Sequence, residues 1–194
     1  MKYHCNLFRK NDIGLFFMTV LSKKEILAEV AKKNIKIDPF NPDHVGPCSV
    51  DLHLSDKFSI FKTGVIVDPD NKSVEHTEPI QTHGEKFFLS PGHFILASTL
   101  EKISLSKQYA AFLEGRSYVA RMGVVVHAAG LVNPGTGMKN PTTLTLEIHT
   151  SVPVYLKPGM GIIQIIFHKL SSEANIGYDE RSDSHYIGLD APRP

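Results

Sequence analysis

The sequence predicts a mainly β domain opened by one short helix. Three observations lead there. A capping box starts the chain's clearest helical pattern. After it the helical period fades. Many short segments rich in β-branched and aromatic residues then follow, separated by turn residues, which is the pattern of a sandwich or barrel. The chain has 194 residues, enough for one domain with a sizeable core.

The helix comes first. In "SKKEILAEV", Ser22 and Glu25 stand three residues apart, and Ile26, Leu27 and Val30 keep helical spacing, so residues 22–33 are expected to be helical. "DPFNPDHVGPC" (38–48) holds three prolines and a glycine and is expected to be a loop. The expected strands are "SVDLHLS", "KFSIFK", "VIVD", "KFFLS", "HFILASTL", "YAAFLE", "GVVVHA", "TLTLEIHT", "VPVYL" and "GIIQIIFHKL". No internal repeat or linker interrupts them. The polar tail from about residue 171 is expected to form an arm or a flap.

The N-terminus is expected to be an extension. "IGLFFMTVL" (13–21) is apolar and follows Lys2, Arg9 and Lys10, but no small-residue cleavage site comes after it. Met18 is a candidate natural start, with residues 1–18 outside the fold and 19–194 forming the domain. No run approaches the ~20 apolar residues of a membrane span.

Composition narrows the function. Hydrophobic residues make up 42% and charged residues 21%, which argues against long disorder. The formal net charge of +1 offers no field for holding nucleic acid, and no membrane partner is expected. The two cysteines, Cys5 and Cys48, suit a reduced cytoplasmic protein. The ten histidines show no ligand spacing, so no dedicated metal site is expected.

Candidate chemistry lies in four segments. In "EGRSYVARMG" (114–123), Arg116 and Arg121 can grip phosphate in forked hydrogen bonds, and Ser117 adds a hydroxyl. "HAAGLVNPG" (127–135) puts small residues after a strand, where a planar base can approach the backbone; an ordinary hairpin turn explains them equally well. On "TLTLEIHT" (143–150), Leu144, Leu146 and Ile148 alternate with Thr145, Glu147 and His149, so Glu147 lies on the polar face. Gln164 sits inside an apolar strand and needs a partner, from the protein or from a ligand.

In order and spacing these pieces resemble the dCTP deaminase family, related to the trimeric dUTPases. "VLSKKEIL", "IDPFNPDHVGPCSVDLHLSDKF", "EGRSYVARMGVVVHAAGLVNPG", "TLTLEI", "LKPGMGIIQIIFHKL" and "IGYDERSDSHY" carry the likeness, over about residues 19 to 188. The resemblance implies a dUTPase-like β-clip, a jelly-roll-like distorted barrel. It implies a homotrimer with active sites between subunits, and Mg²⁺ carried on the substrate triphosphate without a protein site of its own. Zinc deaminases carry H-x-E and P-C-x-x-C, and this chain has neither.

By the likeness, Glu147 is the general base that activates water against C4 of cytosine, with Ser117 and Arg121 completing the catalytic set. The implied substrate contacts are Arg116, Ser117, Tyr118, Val119, Ala120 and Arg121; then Ala129 for the base and Asn133 for the sugar. Thr145, Leu146 and Glu147 follow on their strand, and Gln164, Tyr178 and His185 lie toward the phosphates. The implied reaction is deamination of dCTP to dUTP and ammonia. The alternatives are a bifunctional deaminase and dUTPase, a dUTPase-like diphosphatase, and a non-catalytic nucleotide-binding homologue.

Four departures from the family pattern stand out. Tyr118 replaces a serine and Asn133 an aspartate. The loop through "GTGMKNPT" (135–142) is longer. His185 and Leu189 replace a lysine and a glutamine.

Overall fold

The computed structural model describes residues 19–68, 70, 75–127 and 129–194. The expected extension, Met18, Cys5 and Ala128 lie outside the described residues.

The helix forms where its signals predict. α1 spans Lys23–Ala31. The Glu25 carboxylate accepts from both the backbone N–H (2.8 Å) and the hydroxyl (2.7 Å) of Ser22. Ile26 is fully buried, and Leu27 and Val30 pack against the core from partly buried positions. Among the described residues no helix is long and apolar enough to cross a membrane.

Among the described residues, thirteen strands make up most of the remaining structure. They are β1 (Thr19–Val20), β2 (Ile35–Asp38), β3 (Val50–Phe61), β4 (Thr77–Gln81), β5 (Phe87–Leu89), β6 (Phe94–Thr99), β7 (Lys102–Leu105), β8 (Tyr109–Gly115), β9 (Val124–His127), β10 (Leu131–Val132), β11 (Thr145–Thr150), β12 (Val154–Leu156) and β13 (Gly161–Lys169). A short helix α2 (Ser117–Arg121) joins β8 to β9. The main sheet runs β10-β8-β13-β3-β6-β11-β9, with β1 added on β13 and β4 on β3; β12 pairs with β5, and β2 with β7. All pairings are antiparallel. The mainly β, dUTPase-like architecture expected from the sequence is what forms.

The sheet curls because β3 changes partners along its length. Its first half pairs with β13, with Asp51 opposite Gln164. Its second half pairs with β6 and β4, after a register shift between Leu54 and Phe58. At the shift the Ser55 hydroxyl lies 2.7 Å from that of Ser98 and accepts from the Lys57 N–H at 3.1 Å. Such a bulge bends the strand and raises its twist. Leu52, Leu54 and Phe58 are buried, joining the core to Leu146, Ile148, Ile163, Ile165 and Phe167 from the neighbouring strands.

Several expectations are corrected. "SVDLHLS" and "KFSIFK" form one bent strand, not two. "VIVD" forms no strand, and Ile66 lies exposed. "GRSYVARMG" holds the short helix α2, an element that no sequence signal assigned there. The loop at 38–48 contains a cis Asp38–Pro39 bond and a 3-10 turn at Pro42–His44. The tail is an arm: its 3-10 turn at Tyr178–Glu180 places the buried Asp179 carboxylate against the N–H groups of Gly137 (3.1 Å) and Lys139 (2.9 Å). A Cβ on Gly137 would lie 2.1 Å from the carbonyl oxygen of Ile103, and its φ is +73°, so only glycine fits that turn.

Tyr109, at the start of β8, is 2% exposed. Burial first, and then the neighbouring Glu29 carboxylate, push its phenol up to about 12 from the ordinary 10.0. The folded chain therefore favours the neutral phenol. Its contribution is complete below pH 10 and is lost as pH rises toward 12. Urea melts should lose about 2–3 kcal/mol of unfolding free energy across that window relative to Tyr109→Phe. Parallel pH curves for the two proteins would refute this linkage.

Candidate active site

One cavity holds about 810 Å³. Glu147 and Thr145 reach it from β11, Ala129 and Gly130 from the turn after β9, Asn133 from the end of β10, and Tyr178 from the arm. Leu96 and Leu113 supply apolar wall, and Tyr186, Leu189 and Arg193 come from the tail. An apolar hollow with a few polar groups is the general form of a small-molecule site.

The alternation on β11 is as the sequence predicts. Leu144, Leu146 and Ile148 are buried and Glu147 faces outward, its side chain 30% exposed. Antiparallel pairing sets Glu147 opposite His127, whose Nδ1 lies 3.2 Å from Glu147 Oε2. That contact fixes one carboxylate oxygen and leaves the other free to accept.

A second group gathers on the β3–β13–β8 face. Asp51 takes Arg116 Nη1 on Oδ2 and Gln164 Nε2, at 3.0 Å, on Oδ1. The Arg116 guanidinium carbon lies 5.1 Å from the Tyr118 ring centre, a cation–π distance. The Tyr118 hydroxyl donates to the carbonyl of Gly161 at 2.5 Å. A Cβ on Gly161 would meet Arg116 Nη1 at 2.7 Å, so the missing side chain makes room for the guanidinium. Tyr118, a departure from the family's serine, thus becomes part of the support for Arg116. The partner that Gln164 needs is Asp51. Arg116 keeps further N–H donors for a ligand after this pairing.

Ser117, Tyr118, Ala120 and Arg121 are exposed on and beside α2, while Val119 is 1% exposed and packs inward. Leu146 is likewise buried, so Val119 and Leu146 can offer a ligand only backbone groups. His185 is exposed and does not line the cavity; its ring lies 6.4 Å from that of Tyr186. Ser117 and Arg121 are not among the residues that line the cavity. α2 precedes the Val124 end of β9, and Glu147 pairs at the His127 end. Three residues of strand separate these ends, about 10 Å.

Sequence reasoning missed Asp51, His127, Tyr186 and Arg193 as site residues. Asp51 had a signal, being an acid on a strand of alternating apolar residues. Arg193 had none, because no local pattern ties a terminal arginine to a cavity.

A profile of the dCTP deaminase-like family matches residues 20–170. The chain belongs to the dCTP deaminase-like family. Among its relatives, the "dCTP deaminase, dUMP-forming" of Streptomyces griseus is 39% identical over 178 residues, covering 89% of this chain and 92% of the relative. The protein of the same name from Salinispora arenicola is 37% identical over 180 residues, covering 90% and 93%. In fold, the chain is similar to the crystal structure of 2'-deoxycytidine 5'-triphosphate deaminase from Agrobacterium tumefaciens, with a TM-score of 0.59 and 19% identity. The match covers 78% of this chain and 48% of that one, so the chain spans about half of that structure's length.

Asp51 is the shared partner in this dCTP deaminase-like chain, so Arg116 and Asp51 should be energetically coupled. A double-mutant cycle of Asp51→Ala and Arg116→Ala, read by urea unfolding, should give a coupling energy of about 0.5–3 kcal/mol. Simple additivity would show that the ion pair positions nothing.

Proposed function

We propose that the chain converts dCTP to dUMP, ammonia and pyrophosphate, working as a cytoplasmic enzyme on free nucleotide. The observation that carries this reading is Glu147 on the wall of the cavity, beside the Ala129–Gly130 turn and braced by His127. The relatives' name supports dUMP as the product, and it replaces the dUTP expected from the sequence. The two nucleotides differ by an amino group exchanged for oxygen and by a lost pyrophosphate. The overall change therefore consumes two waters, one attacking C4 and one attacking the α-phosphorus.

For the first, Glu147 takes a proton from water as its oxygen bonds to C4. The carboxyl passes that proton to N3 as the C4=N3 double bond opens; it then carries the proton of the new hydroxyl to the amino nitrogen, and ammonia leaves as the C4 carbonyl forms. The small residues at Ala129 and Gly130 let the base lie against backbone. Asn133 and Tyr178 border the sugar and phosphate end, and Arg193 offers a cation there in place of the lysine lost at His185. Mg²⁺ arrives on the triphosphate as part of the substrate.

Ser117 and Arg121 complete the site from a second copy. Their absence from the wall of the Glu147 cavity fits the homotrimer with shared sites that the family likeness implies. Co-expressed Glu147→Gln and Arg121→Ala chains should then recover about a quarter of wild-type activity, because random assembly of a closed ring restores that fraction of interfaces. Recovery of none would place the whole site within one chain.

The direct test is incubation with Mg²⁺ and dCTP, assaying ammonia, pyrophosphate and dUMP. The expected result is all three in equal amounts, with Glu147→Gln lowering ammonia release by about 10²–10⁴-fold. Ammonia with dUTP and no pyrophosphate would leave a pure deaminase. Pyrophosphate from dUTP with dCTP untouched would make the protein a dUTPase. Saturable binding without product would make it a nucleotide-binding homologue.

A further inference from the structure

Outside the cavity, the fold gathers three potential ligands that no sequence spacing announces. His44 comes from the 3-10 turn, His53 from the first half of β3, and Glu101 from the turn between β6 and β7. One ligand atom from each lies within 4.8 Å of the other two. The Glu101 side chain is 4% exposed. It accepts from the backbone N–H of His53 at 2.9 Å and pairs with His53 Nδ1 at 2.6 Å. The His44 ring stands 4.3 Å from the His53 ring, tilted by 46°.

This arrangement buries a carboxylate beside two imidazoles. Among the described residues, the ion pair that Glu101 makes is with His53. A buried carboxylate retains acceptor sites after two hydrogen bonds. A divalent cation satisfies the carboxylate and both rings at once.

We propose that His44, His53 and Glu101 form a binding site for a divalent transition cation of the zinc class. Two imidazoles and one carboxylate are a familiar zinc set, with a fourth position left for water. The His44 side of the cluster is partly open to solvent, and its Nε2 lies 3.3 Å from the Asn41 amide. His44 can therefore turn inward to close the site. The cation staples three chain segments together. It also anchors β3 two residues from Asp51, on the same face of the strand.

The test uses the full chain without a histidine tag, stripped with chelator and titrated with Co²⁺. One equivalent should bind saturably below millimolar free Co²⁺, with the visible bands of four-coordinate cobalt, and Zn²⁺ should displace it. His44→Ala and His53→Gln should each weaken binding about 10–100-fold or more. Chelator-treated variants that keep the wild-type circular dichroism spectrum separate this loss from misfolding. Zn²⁺ at 100 times its dissociation constant should raise the folded-to-unfolded ratio of the wild-type chain about 100-fold, and that of His44→Ala far less. No saturable binding, or binding unchanged in both histidine variants, overturns the site and leaves His53–Glu101 as a hydrogen-bonded pair.

Discussion

Strand β3 has to belong to two surfaces at once, and the rest of the molecule follows from how it does so. Its first half carries Asp51 to β13 and its second half carries Phe58 to β6. A straight strand with period two cannot keep one face buried through such a change of partner. The register shift between Leu54 and Phe58 solves this: four residues of β3 stand against two of β6, and the bulge bends the strand while Leu52, Leu54 and Phe58 all stay buried. Ser55 and Ser98, buried at the bend, meet hydroxyl to hydroxyl, and the Ser55 hydroxyl also accepts from the Lys57 N–H at the shift. The bend also curls the sheet, and the curl brings β8, β11 and the tail around one hollow.

The same strand explains why the candidate site falls into two parts. Asp51 faces away from the buried Leu52 and Leu54, and a carboxylate there collects Gln164 from the adjacent β13 and Arg116 from the end of β8, one strand farther on. Arg116 is then the residue before α2, so its anchoring sets where the helix starts and where Ser117 and Arg121 project. Glu147, in contrast, is placed by β11 and β9 at the far end of β9. The fold thus carries two groups of functional side chains: guanidinium and hydroxyl at α2, and a carboxylate on β11 beside a base-sized hollow.

Much of this was legible in the sequence, and the limits have physical causes. β11 was readable because period-two alternation decides both the strand and its faces, and that alternation alone puts Glu147 outside the core. α1 was readable because its cap and its apolar spacing agree. β2 and β7 were missed, since each has four residues and their pairing is a long-range event that no local window records. "VIVD" misled for the opposite reason: its β propensity is strong, but propensity without a partner strand does not bury anything. The family likeness located Glu147, Asn133 and Tyr178 at the cavity. It could not foresee that Tyr118 would brace Arg116, because that role depends on the carbonyl of Gly161 lying within reach.

The tail and the longer loop are best understood together. Asp179 is buried, and a buried carboxylate demands donors; the N–H groups of Gly137 and Lys139 in the inserted loop provide them. Farther along, the backbone of Leu189 donates to the Thr142 hydroxyl at 2.9 Å, and its carbonyl accepts from the N–H of Thr143 at 2.9 Å. The arm is therefore tied at two points to the segment that leads into Glu147. A glutamine at position 189 would place an amide where this chain buries an aliphatic side chain. Loss of that polar group and the presence of the longer loop are two sides of one exchange: hydrogen bonds between loop and arm hold the cavity wall in place, and Leu189 seals it with apolar surface.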